Sequence, residues 1–146
     1  MANVSLAQAA VITDKALEHA RSLNLKPLTV AVLDAGGHLV ALKREDNSSL
    51  LRPQIAQGKA WCVLGMGFGG REFTRRAAAA PAFMAAIGMA SEGRIIPVPG
   101  GVLIRDQDGS ITGAVGISGD VSEQDEACAV YGIKAAGLVP DTGDPG

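Results

Sequence analysis

The chain has 146 residues, a formal net charge of −2 and 19% charged residues, with no cluster of Lys and Arg. That balance excludes the basic stripe of a nucleic-acid binder, and no apolar run approaches the length of a membrane span. Apolar residues make up 47% but aromatics only 3%, and there are 19 Gly, so one core of small and branched side chains is expected in a single domain.

The N-terminus, Met1-Ala2-Asn3-Val4-Ser5, lacks the basic and apolar regions of a secretory signal. Two distant cysteines, Cys62 and Cys128, lack a CxxC spacing and read as reduced, buried thiols. A cytoplasmic location is the expectation.

Ser5 and Gln8 form a capping-box pattern. Leu6, Ala9, Ala10, Thr13, Leu17 and Ala20 then recur at helical spacing, predicting an amphipathic helix over 5–23. Leu28 to Asp34 and His38 to Lys43 read as two strands around Gly36-Gly37, an antiparallel hairpin. A helix is expected from Arg52 to Met66, ended by Gly65-x-Gly67-x-Gly69-Gly70. Those glycines follow a helix rather than a strand, and no Walker lysine lies among them, so they read as a connector rather than a phosphate loop.

Shorter helices are expected at 71–78 and 81–90, with Pro81 in the first turn of the second. Ile95 to Val98, Val102 to Arg105 and Ser110 to Ser118 look like a three-stranded meander, with Asp108-Gly109 as a turn. Ser122 is expected to cap a last helix to about Ala136, with Glu123, Asp125 and Glu126 facing the positive end of its dipole. A cap is preferred there to a metal site, because too few oxygen ligands are in view. Residues 139–146 read as a mobile tail. The order is helix, hairpin, helices, meander, helix: an α+β domain with one mostly antiparallel five-stranded sheet.

Few residues carry obvious chemistry. Ser118 misses the G-x-S-x-G pattern, since Gly119 follows it directly. His19 lies on a helix flank and His38 just after the Gly-Gly turn. Neither has a spacing that marks a zinc site, and no metal is expected. Asp34, His38, Arg44 and Lys59 could surround one cleft and hold an anionic ligand.

Val30-Ala31-Val32-Leu33-Asp34 through Gly37, Arg44 and Asp46 resembles the signature hairpin of the GlcG/HbpS-like family, which includes the C-terminal domain of PduO-type adenosyltransferases. Gly58-Lys59-Ala60, Pro99-Gly100-Gly101 and Gly113-Ala114-Val115-Gly116-Ile117-Ser118-Gly119 are similar to its later motifs. The resemblance runs over about residues 5–138. The chain departs from the pattern at Trp61, Cys62 and Leu103.

The resemblance implies an α+β sheet domain that assembles into dimers or octamers, some members binding haem. On that reading the cofactor-binding candidates are His38, His19, Arg44, Lys59, Trp61, Gly100 and Gly101. Iron needs a donor such as His or Met, here His19, His38 or, behind them, Met66 and Met84. Trp61, Phe68 and Phe83 are expected to line an apolar pocket. The alternative is a cofactor-independent isomerase, lyase or hydrolase for a small organic acid or carbonyl compound. Asp34, His38 and Glu72 would be its acid–base groups, with Arg44 or Arg71 clamping a carboxylate.

Overall fold

The computed structural model describes residues 2–144. In chain order the elements are α1 (Leu6–Ser22), β1 (Thr29–Asp34), β2 (Leu39–Arg44), α2 (Arg52–Met66), α3 (Gly70–Ala79), α4 (Pro81–Ala90), β3 (Gly101–Arg105), β4 (Ile111–Ser118), α5 (Ser122–Ala135) and β5 (Val139–Asp141). The strands form one antiparallel sheet in the order β2-β1-β4-β3-β5. This is the α+β class that the periodicities predict.

One face of the sheet is sealed by α1 and α5. The capping box starts α1 as expected, the Gln8 amide donating to Ser5 Oγ at 3.0 Å and the Ser5 amide to Gln8 Oε1 at 2.9 Å. Its inward stripe is Ala9, Ile12, Thr13, Ala16 and Ala20. These small residues let α5 come close: a Cβ at Gly132 would sit 2.6 Å from the Ile12 carbonyl oxygen. Val30, Val32, Val102, Ile104, Val115 and Ile117 complete this larger core from the sheet side.

The other face carries α2 alone, over a smaller core of Leu33, Ala60, Val63, Leu103 and Ala114. Here too glycine sets the distance. A Cβ at Gly116 would overlap the Ala56 carbonyl, so the central strand admits α2 only with no side chain at that position. Beyond α2, α3 buries only Gly70 and Phe73, and α4 buries none of its residues.

One strand differs from expectation. Residues 95–98 are irregular, because Pro97 within the stretch and Pro99 directly after it each lack an amide donor. The edge of β3 is taken instead by Val139–Asp141, within the segment expected to be a mobile tail. Arg105 Nε donates to Asp141 Oδ2 there at 2.9 Å. Residues 145 and 146 of that tail lie outside the described residues.

Ser122 is also not the cap. Val121 occupies that position with no side-chain cap bond, and Ser122 is the first helical residue. Asp125 turns inward, accepting from the Asp120 amide at 3.0 Å.

Candidate functional site

The partly covered face holds a cavity of about 580 Å³, bounded by α2, the β1–β2 turn and the segment after α4. This lies within the usual size range of small-molecule sites. Leu33 and Gly37 come from the hairpin, Leu51 from the residue before α2, Ile55 and Trp61 from α2, and Arg94 and Ile96 from the segment beyond α4. Gly58 makes the last contact possible, since a Cβ there would sit 2.5 Å from Ile96 Cγ1. Gln54 and Gln57 add polar groups.

At the turn, Gly37 has φ +84°, and a Cβ on it would lie 3.3 Å from the Trp61 indole nitrogen. The left-handed backbone and the close indole both favour glycine there. Its neighbour His38 is 80% exposed, with Nδ1 3.1 Å from Asp34 Oδ1. An ionised carboxylate only accepts, so Nδ1–H is the donor, and in the neutral ring that puts the lone pair on Nε2. The His38 amide holds Asp34 below the ordinary carboxylate range against partial desolvation, helped by the His38 ring and the Gly36 amide.

The other expected site residues scatter. His19 stacks on Tyr131 at 4.3 Å between centroids, an α1–α5 contact on the sealed side. Arg44 lies at the far end of the hairpin from His38, opposite Thr29, and donates to the Ser48 carbonyl at 2.7 Å. The single cleft expected for Asp34, His38, Arg44 and Lys59 is therefore not formed, because six residues of extended β2 separate its ends. Phe68 packs on Phe73 with Arg76 over its ring, and Phe83 is half exposed on α4. Of the three aromatics expected in one pocket, only Trp61 walls the cavity.

Lys59 is buried beside α5. Its Nζ donates to the Ile117 carbonyl at 2.8 Å and to Asp125 Oδ2 at 3.3 Å. Burial pushes Lys59 down and Asp125 up, each opposed by the other's charge. Gly100 (φ +116°) and Gly101 make room for this lysine: a Cβ on Gly100 would sit 2.9 Å from Nζ, and one on Gly101 would overlap the Lys59 carbonyl. Lys59, Gly100 and Gly101 thus form a structural joint away from the cavity.

Glu72 is tied to Arg76 at 2.9 Å and to Arg75, and both guanidiniums hold it below the ordinary carboxylate range. Arg71 grips Glu126 at 2.8 Å, which draws the guanidinium into an internal pair rather than a substrate clamp.

Among the described residues, no group of three or more His, Cys, Asp or Glu could hold a metal ion, and no helix is long and apolar enough to cross a membrane. Burial pushes the Cys62 thiol up to about 12 and the Cys128 thiol up to about 11, so neither offers a thiolate at neutral pH. One residue escapes the sequence reading, and another, Asp125, reads there only as a carboxylate facing the helix dipole. Arg94 sits between a glycine and two isoleucines, with no pattern around it. Asp125 did carry a signal: it shares the spacing of Cys128, Ala129, Gly132 and Ile133, the buried face of α5.

The comparisons with known proteins agree with this fold. An uncharacterized 15.0 kDa protein of Citrobacter freundii, from the dhaT-dhaS intergenic region, is 28% identical over 129 residues, covering 88% of this chain and 89% of its own. PduOC, solved as a complex with haem, superposes with a TM-score of 0.84 at 26% identity, over 97% of this chain and 99% of its own. The Klebsiella pneumoniae protein ORFY gives 0.83 at 26%, over 94% and 92%. HbpS shares the fold at 21% identity, with a TM-score of 0.78 over 92% of this chain and 90% of its own. Residues 4–134 match the model of the family described as haem degrading protein HbpS-like, and the chain belongs to that family.

Proposed function

We propose that this protein binds haem or a related tetrapyrrole in the cavity on the α2 side, with His38 as the iron donor. The observation that carries the reading is the apolar cavity of about 580 Å³ with Trp61 as one wall and the His38–Asp34 pair beside Gly37 at its edge. The residues suit the group. Leu33, Leu51, Ile55 and Ile96 offer apolar contact, and Arg94 offers a cation for a propionate. No His, Cys, Met or Tyr is among the walls, so the donor must come from the edge, and His38 is the nearest histidine in sequence.

Asp34 does for His38 what carboxylates do for metal-bound histidines generally: it fixes the tautomer and raises the basicity of the other ring nitrogen. The haem, once bound, supplies redox and gas-ligand chemistry through its iron. The chain's own part is to orient the imidazole and exclude water from the Trp61 wall. PduOC, similar to this chain over nearly its whole length, was solved with haem, which supports the same reading.

The protein is further proposed to self-associate, as a dimer or octamer, in the cytoplasm, as an accessory to a catabolic or redox-sensing pathway. Self-association is supported by α4, whose ten residues carry no charge and include Phe83 at 51% and Met89 at 83% exposure; such surface favours burial.

Hemin titration tests the ligand. Wild type should give a saturable Soret shift, weakened in Trp61→Ala and lost or altered in His38→Ala. A spectrum indistinguishable from free hemin in wild type ends the reading. The second reading, a small cofactor-independent enzyme, is favoured by the same Asp34–His38 pair, which has the form of a base with its orienting carboxylate.

A further inference from the structure

The segment after α4 lays a guanidinium on the aromatic wall of the cavity. Arg94 Cζ lies 4.3 Å from the centroid of the Trp61 ring, and both residues wall the cavity. The placement is built into the backbone. Glu92 (φ 58°) and Gly93 (φ 78°) are consecutive left-handed residues that turn the chain back toward α2. A Cβ on Gly58 would be 3.0 Å from the Arg94 carbonyl oxygen, so a glycine on α2 admits this segment. Arg94 Nε donates to the Ser91 carbonyl at 3.2 Å.

Arg94 brings an unmatched charge to the cavity. Arg21, Arg71, Arg75, Arg76 and Arg105 each pair with a carboxylate, while Arg44 and Arg52, away from the Trp61 face, donate to serine oxygens instead. Among the described residues no carboxylate pairs with Arg94, which rests on a ring face instead. An exposed cation–π contact is weaker than a charge-assisted guanidinium–carboxylate bond. A flat ligand competes for the same indole face, and an acidic one repays the displaced guanidinium with a stronger partner.

We infer that Arg94 is the specificity residue of this cavity, selecting flat ligands that carry a carboxylate by yielding the Trp61 face to the ring system and pairing with the acid. The inference rests on the tetrapyrrole reading and adds the ligand's charge. A neutral ring of the same size displaces Arg94 from the indole without giving it a partner, so it binds more weakly.

The test compares protoporphyrin IX with its dimethyl ester, by fluorescence anisotropy, on wild type, Arg94→Gln and Arg94→Lys, with hemin run in parallel. Wild type should bind the diacid about tenfold more tightly than the diester, the discrimination expected of one hydrogen-bonded charge. Arg94→Gln should bring the ratio close to one, chiefly by weakening the diacid. Arg94→Lys, which keeps the charge but not the planar fork, should retain part of the preference. A wild-type ratio near one overturns the inference, as does a ratio unchanged in a folded Arg94→Gln. If hemin binds but no discrimination is seen, only the inference fails. If wild type binds neither hemin nor either porphyrin, the tetrapyrrole reading fails and takes the inference with it.

Discussion

The two faces of the sheet are built for different ends. On one, α1 and α5 meet through Ala, Thr and Gly, and the core between them and the sheet is closed. On the other, α2 covers the centre alone, a cavity remains beside Trp61, and α4 lies outside with every residue at least partly exposed. The same sheet thus carries a sealed layer that holds the fold and a partly covered one that is free to take a ligand and a neighbour. Mutations should divide along that line, with stability falling on the sealed side and at the joint between the layers, and ligand behaviour changing on the other.

The largest effect is expected at the joint. Lys59 on α2 and Asp125 on α5 are 4% and 1% exposed and face each other at 3.3 Å. Asp125→Asn leaves a buried ammonium without its counter-charge, and should cost about 3–5 kcal/mol in urea melts. Replacing both, as Lys59→Met with Asp125→Leu, should cost less than either single change. A loss under about 1 kcal/mol in Asp125→Asn would show that the faces are not tied through this pair.

Next comes the sealed side. Gly132→Val pushes α5 off α1 at the Ile12 carbonyl and should cost about 1–3 kcal/mol by overpacking. Phe83→Ser with Met89→Ser on α4 is the matched change on the open side. It should leave monomer stability within about 0.5 kcal/mol while shifting sedimentation toward smaller species. Equal stability losses in the two variants would erase the contrast.

Histidine sharpens the comparison further. His38→Ala and His19→Ala should each change stability little, but only the first should alter the hemin spectrum, because His19 is stacked on Tyr131 across the sheet. Identical spectra in both would remove histidine ligation from the account.

The smallest effect concerns pH. Asp34 is held below its ordinary value in the folded chain, so its contribution is fully present above the unfolded carboxylate value of about 3.9. It is lost as pH falls through the lower folded value. Asp34→Asn should therefore lower stability slightly at pH 6–8, where the contribution is present, and converge on wild type at the acid end, flattening the acid limb; equal stability at neutral pH with a difference that appears only in acid would contradict this.

The sequence made much of this fold legible because its punctuation is local. Ser5 with Gln8 starts α1, Gly36-Gly37 turns the hairpin, and the glycines from Gly65 end α2, each close to where the structure places it. What it hid is tertiary. Val139–Asp141 becomes a strand only because β3 offers an edge, whereas Ile95 to Val98 has strand-like composition but is denied pairing by its prolines. The candidate site was half legible. Trp61 and the turn glycine Gly37 meet at the cavity, and Asp34 and His38 pair at the turn beside it. Lys59, Gly100 and Gly101 looked like binding residues because each falls in a segment similar to a family motif, yet in the structure they serve the packing of α2 and α5. Arg94 reaches Trp61 only through two left-handed residues and the bare surface of Gly58, a path that no spacing encodes.

The most direct test of the central claim is an amide and indole NMR spectrum of labelled protein titrated with ferric hemin. Paramagnetic broadening should erase the Trp61 indole and the amides of Gly37, Gly58 and Gly93, leaving Ala16, Tyr131 and Gly132 sharp. Broadening centred on Tyr131 and its α1 neighbours, or none at all, would contradict the assignment of the ligand to the α2 side.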